Sequence, residues 1–423
     1  MRDSSLAYHV RMFVRRLVPV LAPIFIVFVA CAERSVPSER PAPRLVLLVS
    51  LDTLRADRVL PPERAGDPAG RPRTPHLAAL AAEGLRFETV VAQAAQTLVS
   101  HKSLFAGRYP TPLLAPMREP SGAWPQGEAA KDALLQGLSA VGSAPLDELG
   151  AAGWRRWAFT DGGWMRAAFG FARPFDVFDE QGGGLEAIVP RVLDALAGSQ
   201  ADAAERAFVF VHAYDTHCPY PTREPFDSRY CQTHGEHVSL ENRCPKDDLE
   251  DEPLEERDWQ AVRDHYDAGV ESADAWLGEL FRGLRAASLW EDALVVVTSD
   301  HGELLGEGGR LGHGGLSPEE LLVPLVIKFP RAWDLGARTV ATPVELLDVL
   351  PTVLEACGVT VPPGLDGRSL LPLVDGMDDV AGDVLRAETV FRDRATGHAR
   401  LGLRLELVPG VGWGVVEEQG AGG

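Results

Sequence analysis

Residues Ala293 to Gly315 read ALVVVTSDHGELLGEGGRLGHGG. The run Leu294 to Thr298 is apolar and β-branched, the pattern of a strand buried on both faces of a parallel sheet. It delivers Asp300 and His301 side by side, and a glycine-rich loop then leads to His313. A carboxylate and an imidazole at the carboxyl end of such a strand make half of a divalent metal site. Two further runs end in comparable groups. Arg44 to Leu51 is a buried strand that stops at Asp52, and Ala207 to Val211 runs into His212, with His217 five residues on. Gln96 or Thr97 would cap a helix reaching Ala106, with Thr97 at its positive end. Lys102 lies one turn into that helix, where it could contact a non-bridging oxygen or simply lie exposed.

The elements that must hold these groups fit one large α/β domain with a small appendage, which 423 residues can build around one core. Helical spacing is read over Pro75 to Gly84, Leu185 to Ala197, Trp259 to Ala287 and Glu345 to Cys357. Strands are read over Arg86 to Ala92, Trp154 to Thr160 and Leu322 to Ile327, with a late pair at Ala399 to Leu407 and Gly412 to Glu417. Tyr109 to Ser143 is rich in proline and glycine and reads as a surface loop; residues 222–256 form an insertion with an acidic end. Arg55 and Asp57 read as a structural pair. Cys231 and Cys244 suggest a local disulfide, with a structural zinc through His234 and His237 as the alternative.

A net charge of −20 argues against a nucleic-acid partner, since phosphate binding needs a basic face. An anionic substrate would need a local cation to draw it in. At the start of the chain, Arg2, Arg11, Arg15 and Arg16 precede the apolar run Leu17 to Ala30 and then Cys31. That is a signal peptide over residues 1–30, followed by a tether over 31–43. Phe28-Val29-Ala30-Cys31 resembles a lipoprotein cleavage site with Cys31 lipidated; ordinary secretion and an uncleaved anchor are the alternatives. The expectation is export to the periplasm or cell envelope, with membrane contact only through the lipid or N-terminal anchor.

Five stretches, SLDTLRAD, TLVSHKSLFAGRYP, VHAYDTHCPYP, TSDHGELLGEGGRLGHGG and GLDGRSLLPL, follow one another over roughly residues 44–375. In type and order they resemble the sulfatase family of the alkaline phosphatase superfamily. The resemblance implies an α/β fold, a mostly parallel sheet flanked by helices, with a catalytic domain over 44–376 and an abbreviated antiparallel C-terminal part over 377–423. It implies a small anionic ester as substrate and one or two divalent ions, zinc, manganese or calcium. Asp52, Thr97, Asp300 and His301 would be the metal ligands, the imidazole favouring zinc or manganese. Thr97, His217 and His313 would be catalytic, with Lys102 towards the substrate and His212 either there too or only bracing its loop. Where the sulfatase signature has Cys-x-Pro-Ser-Arg, this chain has Thr97, Leu98, Val99, Ser100 and His101, so a formylglycine cannot form. Threonine there resembles the nucleophile of the superfamily's phosphodiesterases and phosphoethanolamine transferases. Where many sulfatases carry Gly-Lys-Trp-His, the stretch FTDGGWMRAAFGF offers Asp161 and Trp164 and no lysine. The expected function is metal-dependent cleavage of a sulfuric or phosphoric ester through a covalent Thr97 intermediate. The alternatives are phosphoethanolamine-type transfer and a non-catalytic surface lipoprotein that keeps the fold.

Overall fold

The computed structural model describes residues 40–59, 73–114, 127–199, 205–220, 224–230, 254–377, 385–392, 399–408 and 412–417. Cys231, Cys244, the acidic end of the insertion up to residue 253, the leader and most of the tether lie outside them. Eight strands make the main sheet: β1 (Leu45–Leu51), β2 (Leu85–Phe87), β3 (Arg155–Thr160), β4 (Val177–Asp179), β5 (Ala207–Ala213), β6 (Ala293–Thr298), β7 (Leu325–Lys328) and β8 (Arg338–Val340). Their spatial order is β8-β2-β7-β6-β1-β5-β3-β4. Every pairing is parallel except those that β7 makes with β6 and β2.

β1 lies at the centre, and all seven of its residues are buried. Its side chains alternate between two cores. Val46 and Leu48 pack on one side, with helix α2 (Thr97–Ala106), which follows α1 (Pro75–Ala82) in the chain, and the helix Val349–Ala356. Leu45, Leu47 and Val49 pack on the other, against the helices Gly184–Ser199 and Glu256–Ala286. That two-sided burial is why these strands read as unbroken apolar runs. The register matters more than the layers. Ser50 pairs with His212 on one side and with Thr298 on the other, so the carboxyl ends of β5, β1 and β6 finish together. Three loops therefore begin at one level of the sheet.

Several elements differ from the sequence reading. Tyr109 to Ser143 is no plain loop: it contains the helices Pro110–Leu114 and Gly127–Ala140. The expected strand Arg86 to Ala92 divides into β2 and a short strand, Val90–Val91, that leaves the main sheet to pair with Val344–Glu345. That pairing also takes Glu345 out of the expected helix, which starts as a 3-10 turn at Leu346 and becomes α-helical at Val349. At the C-terminal end the expected pair is a three-stranded antiparallel sheet, with Leu385–Arg392 as its first strand. At the start of the helix Pro75–Ala82, Asp274 from the Glu256–Ala286 helix accepts the His76 and Leu77 N–H groups at 3.0 and 2.8 Å. Among the described residues, no helix is long and apolar enough to cross a membrane.

Candidate metal centre and active site

Asp52 follows β1, and Asp300 and His301 follow β6; their ligand atoms lie within 4.8 Å of one another and all three are fully buried. Each is tethered by one atom. Asp52 Oδ2 accepts from His212 Nε2 at 3.1 Å, Asp300 Oδ1 accepts the Thr53 N–H at 3.3 Å, and His301 Nδ1 donates to the Gly302 carbonyl at 2.9 Å. The opposite atoms, Asp52 Oδ1, Asp300 Oδ2 and His301 Nε2, are buried and have no hydrogen-bond partner, although Asp300 Oδ2 and His301 Nε2 face each other at 3.3 Å. Buried polar atoms are nearly always paired, because desolvation without a partner costs about 1–3 kcal/mol each. Three such ligand atoms converging on one point fit a divalent cation, which would supply the missing partner to all of them. The backbone comes close here as well: a Cβ on Gly302 would fall 2.0 Å from the Glu319 carbonyl.

Charge tells the same story. Burial, reinforced by the neighbouring Asp300 carboxylate, pushes the Asp52 carboxyl up to about 8. Burial acts on Asp300 in the same sense, yet His301, His101 and His212 outweigh it and hold this carboxyl below its ordinary range. Asp300 in turn raises the His301 imidazole against the effect of burial. Two carboxylates this close cannot both ionise cheaply without a cation between them.

Thr97 opens α2 as its first helical residue, with Gln96 as the cap. Its hydroxyl is buried and without a hydrogen-bond partner, yet lies near enough to Asp52 to help hold that carboxylate's charge. The helix is pinned at this end. Ser100 Oγ donates to the Asp300 carbonyl at 2.7 Å, and His101 Nδ1 donates to the Thr97 carbonyl at 2.9 Å. The other ring nitrogen of His101 accepts from Ser50 Oγ at 3.0 Å. His101 stands at the signature's arginine position, which was the one sequence signal that could have marked it.

His217 and His313 come together, Nε2 to Nε2, at 3.3 Å, and the His313 ring lies 4.3 Å from that of His301. Their Nδ1 atoms face the carbonyls of Cys218 and Ala95, at 2.5 and 3.0 Å. A carbonyl only accepts, so each Nδ1 carries the hydrogen and each Nε2 presents a lone pair. Two lone pairs facing across 3.3 Å require a shared proton or a shared cation.

Two residues that the sequence offers as substrate contacts are used otherwise. His212 is fully buried with Nε2 on Asp52, which makes it a brace for the carboxylate. Lys102 is 2% exposed and so not a surface residue. Every residue of α2 is buried, and the Lys102 amine lies 4.2 Å from the Phe171 ring centroid and 3.4 Å from the Val141 carbonyl. Arg55 does pair with Asp57, at 2.8 Å, and with Glu307 at 2.7 Å. Thr216 and Tyr214 gave no signal in the sequence. Thr216 donates to the Asp52 carbonyl, and the Tyr214 ring stands between those of His212 and His217, at 4.7 and 5.2 Å.

A mostly parallel α/β sheet carries an acidic and imidazole cluster above its central strands. The sulfatase family model matches residues 44–359, so the chain belongs to the sulfatase family, within the alkaline phosphatase superfamily. It is 38% identical over 146 residues to the multifunctional alkaline phosphatase superfamily protein PehA of Trinickia caryophylli, covering 33% of this chain and 27% of that protein. It is 35% identical over 122 residues to arylsulfatase K of Xenopus laevis, covering 29% of this chain and 22% of that one. The aligned stretches thus span under a third of these relatives' lengths. The phosphonate monoester hydrolase of Agrobacterium radiobacter shares the fold, with a TM-score of 0.65 at 19% identity, covering 89% of each chain.

Proposed function

We propose that this protein is an exported, metal-dependent ester hydrolase that cleaves a phosphoric, phosphonic or sulfuric ester through a covalent Thr97 intermediate. The observation that carries the reading is the convergence of buried ligand atoms without a hydrogen bond from Asp52, Asp300 and His301 beside an unpartnered Thr97 hydroxyl at a helix N-terminus. Asp52, Asp300, His301 and Thr97 would hold the ion, and zinc or manganese suits a donor set containing imidazole. When bound, the ion supplies positive charge that favours the deprotonated Thr97 oxygen and balances the two carboxylates.

The chain's own residues account for the remaining chemistry. Thr97 Oγ attacks phosphorus or sulfur while the N–H groups of the first turn of α2 face the anionic oxygens. The bond to the departing alcohol breaks on the opposite side, and that oxygen needs a cation or a proton. His217 and His313 supply it as a proton delivered from Nε2; were a second ion bound, these two residues would hold it and its charge would serve the same oxygen. Water then hydrolyses the threonine ester, its proton returns to the histidine pair, and Thr97 is released. His212 and His101 keep Asp52 and the helix start in place. Export is supported by the leader pattern and by Cys218, which is disulfide-bonded, as suits an oxidising compartment.

Thr97→Ala should abolish turnover with the fold intact, and Thr97→Ser should keep part of it. Incubation with a slow aryl ester, followed by intact-mass and peptide analysis, should find a phosphoryl or sulfuryl adduct on Thr97. An active Thr97→Ala enzyme, or an adduct on another residue, would overturn the mechanism.

A further inference from the structure

We infer that the hydrogen bond between Tyr220 and Glu303 sets the spacing of the histidine pair, which makes these two buried residues positioning residues for the departing oxygen. This rests on the role given to His217 and His313 above. The pair is assembled from two separate loops. His217 lies on the loop after β5, whereas His313 directly follows a hairpin, Leu304–Leu305 with Leu311–Gly312, in the loop after β6. Their Nε2 atoms nevertheless meet at 3.3 Å. No turn within one loop can fix a distance to the other, so a contact that spans both has to do so.

Tyr220 and Glu303 make such a contact. The Tyr220 N–H donates to the His217 carbonyl at 2.8 Å, which closes the turn that His217 begins. The Tyr220 hydroxyl donates to Glu303 Oε2 at 2.7 Å, and both side chains are buried. Glu303 precedes Leu304, which pairs with Gly312, the residue before His313. The bond therefore runs from the turn that carries His217 to the root of the hairpin that carries His313.

Each end is itself held. Tyr220 has a φ of +53°, a conformation that a bulky residue rarely adopts and keeps only where its surroundings impose it. Its ring meets that of Tyr266 edge-on at 5.7 Å. The Tyr266 hydroxyl donates to the Thr53 carbonyl at 2.8 Å and accepts the Arg55 N–H at 2.9 Å. Arg55 in turn donates from Nη1 to the Glu303 carbonyl at 3.0 Å. Thr53 and Arg55 follow Asp52 in the chain, so both ends of the bond are referred to the loop that delivers the first carboxylate. A phenylalanine would fill the same space as Tyr220. What the hydroxyl adds is the link between the loops.

The test compares the p-nitrophenyl and ethyl esters of phosphoric, phenylphosphonic or sulfuric acid, whichever acid the full-length, zinc-loaded wild type turns over. Tyr220→Phe should slow the ethyl ester about tenfold, the factor that one buried hydrogen bond of ordinary strength provides, and the nitrophenyl ester far less. Glu303→Met, which removes the acceptor at similar volume, should reproduce that selective loss. Glu303→Gln, whose amide oxygen still accepts from Tyr220, should keep wild-type behaviour. Adding Tyr220→Phe to His313→Ala should cost nothing further on the ethyl ester, because the pair that it positions is already broken. Equal slowing of both esters in Tyr220→Phe or Glu303→Met, a full further loss in the double variant, or a selective loss in Glu303→Gln overturns the positioning role and leaves that of the pair standing. Equal losses in His313→Ala alone, or no turnover by wild type, overturn the reading beneath it, and the positioning role as well.

Discussion

The two ends of β6 bury charged groups to a similar depth and treat them in opposite ways. At the amino end, Lys328 of β7 is 3% exposed, and its amine donates to the carbonyls of Trp290 and Ala293. The indole of Trp290 lies 5.0 Å away and donates through Nε1 to Glu83, while Arg285 stacks over the same ring at 3.9 Å. Every charge there has a protein partner. At the carboxyl end, Asp300 and His301 are at least as buried, and each leaves an atom without a hydrogen bond. Burial alone therefore says little about function. A buried polar group that its own fold leaves unsatisfied is the informative one.

The contrast can be broken most forcefully at Asp300. Asp300→Asn should lower metal stoichiometry and activity together, and should erase the stabilisation that added metal gives wild type. That stabilisation is about 2.7 kcal/mol at a free ion concentration a hundredfold above Kd. Metal-free stability should fall as well, because the Asp300 carboxylate, held below its ordinary range by His301, His101 and His212, contributes stability that an uncharged asparagine lacks. Metal analysis and thermal melts with and without metal would decide, and unchanged stoichiometry would refute the ligand role. A graded effect is expected next, at His313. His313→Ala should slow esters of poorly leaving alkyl alcohols by about 10²–10⁴ and nitrophenyl esters far less. Equal losses for both would leave His313 with a structural role.

The smallest effect belongs to the satisfied end. Burial pushes the Lys328 amine down from an ordinary value of 10.5 to about 8. The folded state thus resists protonation that the unfolded chain accepts. Its contribution is fully favourable above about 10.5, is lost as pH falls towards 8, and is constant below that. Wild type should therefore gain stability between pH 8 and 10.5 relative to Lys328→Met, while kcat of the two stays equal. Denaturant titrations at pH 7.5 and 10 would show it, and an identical pH response would remove the buried amine as its source.

The same contrast explains what the sequence could disclose. β1, β5 and β6 are unbroken apolar runs ending in Asp52, His212 and Asp300, so the site's floor and the residues gathered on it were legible. The tethers were not, because they join distant residues: His212 to Asp52, His101 to Ser50, Asp300 to Thr53. Lys102 was misread because α2 is buried on every side, and such a helix has no periodicity to identify a solvent face. The three-residue strand β2 and the reversed β7 are likewise set by pairing partners far along the chain. The helix Gly127–Ala140 was hidden by the prolines and glycines that precede it.

The central strand also acts as a vernier for the whole assembly. β1 is clamped between β5 and β6 with Ser50 in register with both His212 and Thr298, so the two neighbours read their positions from one ruler. Removing one residue from β1 would draw Asp52 back by about 3.3 Å and turn every following side chain to the opposite face. Asp52 would then miss both His212 and Asp300 at once. The loops above the sheet can be lengthened or exchanged without disturbing that scale, but the strands that carry it admit no change of length.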